Sequence, residues 1–207
     1  MDVSLIQATN DPIKTISQIA SVCYDSNPKD PMKLVKHLYK SGHHSVMEHI
    51  YFTFKIEGIS RACSHQLVRH RMCSFTQRSQ RYCNESEFAY VTPLSIEFDK
   101  HDGKGFAYTH TMDRITDGYD YLVNNGVPKE DARYLLPNSC ATDLYLSCNL
   151  RELIHIANER LCSKAQWEIR ELVKRMVELV DKDLQFMLVP KCQSGIYICN
   201  NKCKESK

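Results

Sequence analysis

Five arginines and two histidines stand between Glu57 and Glu85, a stretch with no carboxylate and no lysine. The cations are Arg61, Arg69, Arg71, Arg78 and Arg81, with His65 and His70 among them. A solvated basic face normally mixes lysine with glutamate. A guanidinium instead presents a planar fork that binds phosphate through two parallel hydrogen bonds. Within the stretch, Arg69-His70-Arg71 is followed, after seven residues, by Ser79-Gln80-Arg81-Tyr82. The segment supplies the hydroxyls of Ser74, Thr76 and Ser79, the Gln77 amide and the guanidiniums of Arg78 and Arg81. Such a loop can hold an anion with arginine forks and backbone N–H groups while its amides and hydroxyls read a base edge. On residue types alone it fits any phosphorylated nucleotide, and an exposed charged face stays open as the plainer alternative.

The same stretch offers little to nucleophilic catalysis. Ser79 has no base beside it in sequence, so ligand binding is the expected role. Cys73 and Cys83 flank the motif, with only neighbouring arginines to activate them, and are read as bystanders. His49 is expected to cap the loop before the next strand, and His101 and His110 to lie on the surface. Cys23, Cys63, Cys140, Cys148 and Cys162 fall inside apolar patterns and read as small core hydrophobes. Cys192, Cys199 and Cys203 lack both a CxxC spacing and a histidine partner, so no metal site is expected.

These residues sit in a chain of 207, 43% hydrophobic and 25% charged, which suffices for one domain with a real core. The expected division is a domain over residues 1–190 and a cysteine-rich tail over 191–207. No apolar run approaches the roughly 20 residues of a membrane helix. Met1-Asp2-Val3-Ser4 lacks the basic start and apolar core of a signal peptide, so a cytoplasmic protein is expected. A net charge of +2 argues against a polyanion binder. It falls short of the pI above about 9 expected of a nucleic-acid module, the main rival reading, whose binding would be salt-sensitive.

The elements that must position the motif follow from punctuation and period. Asp11-Pro12 opens a helix to about Val22, and Asp30-Pro31 opens another to about Lys40, closed by Gly42. His43 to His49 reads as a loop. Ile50 to Glu57 alternates apolar with polar and reads as a half-buried strand. Ile59 to about Arg69 reads as a helix and Arg71 to Tyr82 as irregular. Phe88 to Val91 is a short strand candidate. A helix from about Phe106 to Asn124 ends at Gly126, and Pro128 starts another to about Leu136. Asp143 to Cys148 reads as a strand or as a helix continuation. Leu150 to Leu161 is helical. Ser163-Lys164-Ala165-Gln166 has the form of a capping box launching a long apolar-faced helix that Pro190 stops. That face reads as core or subunit interface. The sum is an α+β fold, mostly helical, with a small sheet.

Arg-His-Arg, seven residues, then Ser resembles the signature of the flavin-dependent thymidylate synthases. Other segments resemble that family in the same order. His43, Ser45, Glu48 and His49 precede the Phe-rich strand, and Gln66 precedes Arg69. Gly126-Val127-Pro128 leads through Ala132-Arg133 to Leu136-Pro137. Asn149, Arg151 and Arg160 precede Ala165-Gln166-Trp167-Glu168. The resemblance covers about residues 20 to 188. It implies methylation of dUMP to dTMP with FAD, NADPH as reductant and 5,10-methylenetetrahydrofolate as carbon donor. It implies FAD contacts at Ser45, Arg69, His70, Arg71, Gln77, Asn149, Leu150, Arg151 and His155. It implies dUMP contacts at Gln66, Leu67, Val68, Arg69, Gln77, Arg78, Ser79, Gln80, Arg81, Arg133 and Arg160, with Arg160 activating the base. It also implies a homotetramer with shared sites, no metal, and neither nucleic acid nor membrane as partner.

Three positions depart from the commoner family pattern. Thr76-Gln77 stands where many members have Asn-Glu, His155 where others have Asn, and Lys164 where some have His. An amide at Gln77 keeps hydrogen bonds but brings no charge. A rival within the same chemistry is another pyrimidine nucleotide as acceptor, because arginines specify a phosphate more firmly than a deoxyribose.

Overall fold

Phe52, Phe54 and Ile56 alternate with Tyr51, Thr53 and Lys55, and the alternation sends the first set into the core. In the computed structural model, which describes residues 1–97 and 103–196, this strand is β2 (Tyr51–Ser60). It belongs to a four-stranded sheet of order β1-β2-β4-β3, with β1 at Asp2–Ala8, β3 at Ser74–Gln77 and β4 at Ala141–Asn149. The pairing is antiparallel. Thr9 N–H donates to the Tyr51 carbonyl (3.0 Å), Leu150 N–H to that of Ile50 (2.7 Å), and Arg78 N–H to that of Asp143 (2.9 Å).

The chain divides into two compact units. The first comprises Met1–Ile56, Leu67–Phe75 and, of the described residues, 145–196. It holds α1 (Pro12–Ser21), α2 (Pro31–Lys40), α7 (Leu150–Arg160) and α8 (Trp167–Leu179). Asp30 caps α2 by accepting from Lys33 N–H, with Pro31 in the first turn where its missing N–H costs nothing. Asn149 caps α7 in the same way, accepting from Glu152 N–H at 2.9 Å. Ile16, Val35, Met47, Leu153, Ile156, Ile169, Leu172, Val173 and Met176 are buried in this unit.

The second unit comprises Glu57–Gln66 and Thr76–Leu144. It takes most of α3 (Arg61–Leu67), with α4 (Leu94–Glu97), α5 (Lys104–Asn124) and α6 (Lys129–Ala132). A small core of Phe88, Met112 and Cys140 is covered by Tyr90, Tyr108, Ile115 and Leu136. The Tyr119 ring is buried, and its hydroxyl accepts from Glu85 N–H at 3.2 Å.

The α+β expectation holds, and the local departures have local causes. β1 and β3 are additional strands. Of Phe88–Val91, Tyr90 makes only an isolated bridge to Cys140. Ser45–His49 forms a 3-10 turn rather than a plain loop. The cap of α8 is Gln166, whose side chain accepts from Glu168 and Ile169 N–H, and not Ser163. That helix ends at Leu179, well before Pro190, because Val180 turns extended and Asp181 caps a separate 3-10 turn at Lys182–Met187. Aspartate competes for nearby backbone N–H groups and so interrupts a helix. Cys63, Cys140 and Cys148 are buried as expected, whereas Cys23 is exposed and Cys162 half-buried. His110 is exposed; His101, Cys199 and Cys203 lie outside the described residues.

Candidate active site

In the first unit α7 opens onto a cleft of about 560 Å³ lined by His44, Glu48, Met72, Asn149, Arg151, Glu152, Ile154 and His155. One helical turn separates Arg151 from His155, which puts both on one face. The Arg151 guanidinium pairs with the Glu48 carboxylate from the 3-10 turn that also carries Ser45. His70 enters from the segment after α3 and is 5% exposed. Its ring meets that of His155 edge to face, with centroids 5.4 Å apart. Its Nδ1 stands 3.5 Å from a Glu152 oxygen, and its Nε2 accepts from the Arg160 Nε–H at 3.0 Å.

Burial, then the neighbouring Arg160 and His155, pushes the His70 imidazole down to about 4. The ring is therefore neutral at pH 7, as its acceptor role toward Arg160 requires. Burial likewise raises the Glu152 carboxyl, against the opposing influence of His155. His70, Glu152 and His155 bring possible ligand atoms within 4.8 Å of one another. The guanidinium on His70 places a fixed positive charge beside them, which opposes a metal cation and suits an anionic or aromatic ligand.

The second unit has its own cleft, about 330 Å³, lined by Arg61, His65, Gln80, Arg133, Tyr134, Leu136, Pro137 and Asn138. Burial lowers the Arg61 guanidinium, and nearby Arg133 lowers it further, while Cys140 and Glu85 act the other way. An anion beside Arg61 and Arg133 would relieve the burial of the Arg61 charge. Gln77 donates to Ser64 Oγ (3.0 Å) and Thr142 Oγ1 (3.2 Å), which fixes its amide. Gln80 donates to Cys140 Sγ at 3.5 Å. Arg133 Nε–H donates to the Glu130 carbonyl at 3.0 Å.

The expected site residues thus distribute between the units. Ser45, Arg69, His70, Arg71, Asn149, Leu150, Arg151 and His155 lie in the first, with Leu67, Val68 and Arg160. Gln66, Gln77, Arg78, Ser79, Gln80, Arg81 and Arg133 lie in the second. Leu67 and Leu150 are fully buried core side chains. The carboxylate-free window does not leave its arginines without acids. Arg78 pairs with Glu85 at 3.1 Å, and Arg81 with Glu130 at 2.8 Å. Arg61, His65 and Asn138 are cleft residues that the sequence reading did not assign to the site. Helical spacing was the available signal for the first two, since Arg61 and His65 are four apart on α3.

Guanidinium-lined clefts on an α+β scaffold, one edged by a neutral buried imidazole, suit a protein that handles phosphorylated ligands. The chain belongs to the thymidylate synthase complementing protein family, whose model matches residues 4–184. A flavin-dependent thymidylate synthase of Geobacter sulfurreducens is 42% identical over 192 residues, covering 87% of this chain and 82% of that protein. One of Pyrococcus furiosus is 39% identical over 194 residues, covering 87% and 79%. The fold is shared with the Helicobacter pylori flavin-dependent thymidylate synthase solved with FAD and dUMP. The TM-score is 0.74 at 24% identity, over 91% of this chain and 98% of that one.

Proposed function

We infer that the chain is a flavin-dependent thymidylate synthase. It converts dUMP to dTMP with 5,10-methylenetetrahydrofolate as carbon donor and NADPH as reductant, and releases tetrahydrofolate. The observation that carries this reading is the similarity, along most of the chain, to relatives of that name. FAD, when bound, supplies the hydride that the folate would otherwise surrender. The donor set of the first cleft fits such a group: the Arg151 cation answers a pyrophosphate, and the Asn149 amide and the His155 ring, backed by His70, answer a flavin's polar edge and face. Residues 1–190 carry the catalytic domain, followed in sequence by a cysteine-rich tail at 191–207. The protein works in the cytoplasm, as a homotetramer, on small molecules rather than nucleic acid or membrane. No helix among the described residues is long and apolar enough to cross a membrane.

The chain's own part in the chemistry is to hold dUMP and make its base a better nucleophile. Arg133 and Gln80 line the second cleft and hold the nucleotide with Gln66, Ser79 and Arg81. Arg160, in the role that the family resemblance implies, stabilises the anion left when the base loses its N3 proton, and that loss pushes electron density into the ring toward carbon 5. A guanidinium cannot act as the base, but it can lower the energy of the anion. The neutral His70 holds Arg160 through the Nε–H bond and so orients the fork. Cys73 and Cys83 take no covalent part.

Arg160→Lys tests this, because it keeps the charge and loses the fork. The purified variant should stay yellow and be reduced by NADPH, yet make dTMP far more slowly at saturating dUMP. A raised KM for dUMP with unchanged kcat would reduce Arg160 to an anchor. A colourless wild-type protein that takes up no FAD would overturn the functional reading itself.

A further inference from the structure

We propose that Cys73 and Cys148 are an oxidation-sensitive cross-strand pair, closed to a disulfide by a hydroperoxide, and that closure reshapes the cleft lined by Met72 and Asn149. Register carries the placement. Arg78 N–H donates to the Asp143 carbonyl, which makes these two a hydrogen-bonded antiparallel pair. Stepping back from Arg78 through β3 and forward from Asp143 through β4 by the same five positions arrives at Cys73 and Cys148, directly opposite each other. An odd number of steps makes them a non-hydrogen-bonded pair, whose Cα atoms stand about 4.5 Å apart. That separation lies within the roughly 4.4–6.8 Å that a disulfide accepts.

The other edge of β4 gives the same parity. Leu150 bonds Ile50, so Ser147 and Thr53 are a non-hydrogen-bonded pair, and their hydroxyls meet at 2.9 Å as such a pair should. Cys148 then bonds toward β2 and presents its close side to Cys73. The neighbouring Cys73 thiol, together with burial, raises Cys148 well above a free thiol. Both are free cysteines, Cys148 3% exposed and Cys73 half-buried.

The chemistry assigns each a part. A hydroperoxide meets the more accessible Cys73, transfers one oxygen to its Sγ and leaves as water or alcohol. The Cys148 Sγ then attacks the sulfenic sulfur, and its proton leaves with the hydroxide as water. Two thiols lose two electrons, the peroxide bond gains them, and one S–S bond forms. A disulfide usually holds its Cα atoms about 5.5–6 Å apart, wider than the roughly 4.5 Å of this pair, so closing the bond shifts Cys73 against β4. Cys73 N–H donates to the His70 carbonyl at 3.3 Å, and Met72 and Asn149, the chain neighbours of the pair, line the first cleft. Closure therefore pulls on the wall of the cleft assigned above to FAD, and the flavin part of the proposal rests on that assignment.

Full-length protein, reduced and then exposed to hydrogen peroxide, should be blocked with N-ethylmaleimide, digested and mapped by mass spectrometry. The expected product is one peptide pair joined through Cys73 and Cys148, two hydrogens lighter than its thiol parts and separated by dithiothreitol. FAD affinity of the oxidised protein should fall roughly tenfold, which is about 1.4 kcal/mol, and recover on reduction. Cys73→Ser should turn over normally when reduced and lose both responses. Cys148→Ala should leave Cys73 to proceed to the sulfinic acid. Oxidation of Cys73 with Cys148 still alkylatable, or a bond from Cys73 to another cysteine, overturns the pair. A Cys73–Cys148 bond with unchanged FAD affinity overturns its link to the cleft. The crosslink map needs no flavin, so it stands or falls apart from the FAD assignment.

Discussion

His70 sets the character of the first cleft because three neighbours act on one ring. Glu152 faces Nδ1, Arg160 occupies Nε2, and His155 lies against the face. Its proton affinity is pushed down to about 4 from 6.5. Between these pH values the unfolded chain binds a proton that the folded chain does not, so stability falls as pH drops through this window. The contribution of His70 is of the order of 3 kcal/mol. Glu152 acts the other way: its raised carboxyl takes a proton in the folded state first, and acid relieves the cost of burying its charge. NMR titration of the His70 ring separates the two. Its midpoint should lie near 4, and a midpoint near 6.5 would mean that the ring is not held neutral by its surroundings.

At the scale of elements, α8 depends on a cap that the sequence pattern misplaces. Gln166 accepts from two N–H groups of the first turn, where Ser163 was expected. Gln166→Ala should cost about 1 kcal/mol in urea unfolding, and Ser163→Ala less than about 0.5 kcal/mol. Equal losses would restore Ser163 as the cap. The helices that begin at Asp-Pro and at Asn149 were legible because capping and proline chemistry are local. β2 was legible because one face is buried, which forces alternation. β3 was not: four half-exposed residues on a sheet edge carry almost no pattern. The same division runs through the site. Asn149, Arg151 and His155 stand at the start of one helix, and the family resemblance groups them. The bond from Arg160 to His70 joins residues 90 apart, and the pairing of Arg81 with Glu130 spans 49, and no local rule foresees either.

For the molecule as a whole, the apolar face of α8 is spent inside the chain. Ile169, Leu172, Val173 and Met176 are buried in the first unit and are not available to a partner. Apolar surface lies elsewhere, at the rims of the clefts. Met72 is 75% exposed beside the first, and Tyr134 is 84% exposed beside the second. The homotetramer proposed above predicts that light scattering at micromolar concentration gives about four times 24.0 kDa. A monomer turning over at full rate on dilution would contradict shared sites.

The folate product tests the central claim most directly. The protein should be incubated with dUMP, 5,10-methylenetetrahydrofolate, FAD and NADPH, and both products followed together. A flavin-supplied hydride predicts tetrahydrofolate in step with dTMP, with NADPH consumed at the same rate and no turnover without it. Dihydrofolate accumulating in step with dTMP, with NADPH untouched, would show that the folate gave up its own hydride and would contradict the account.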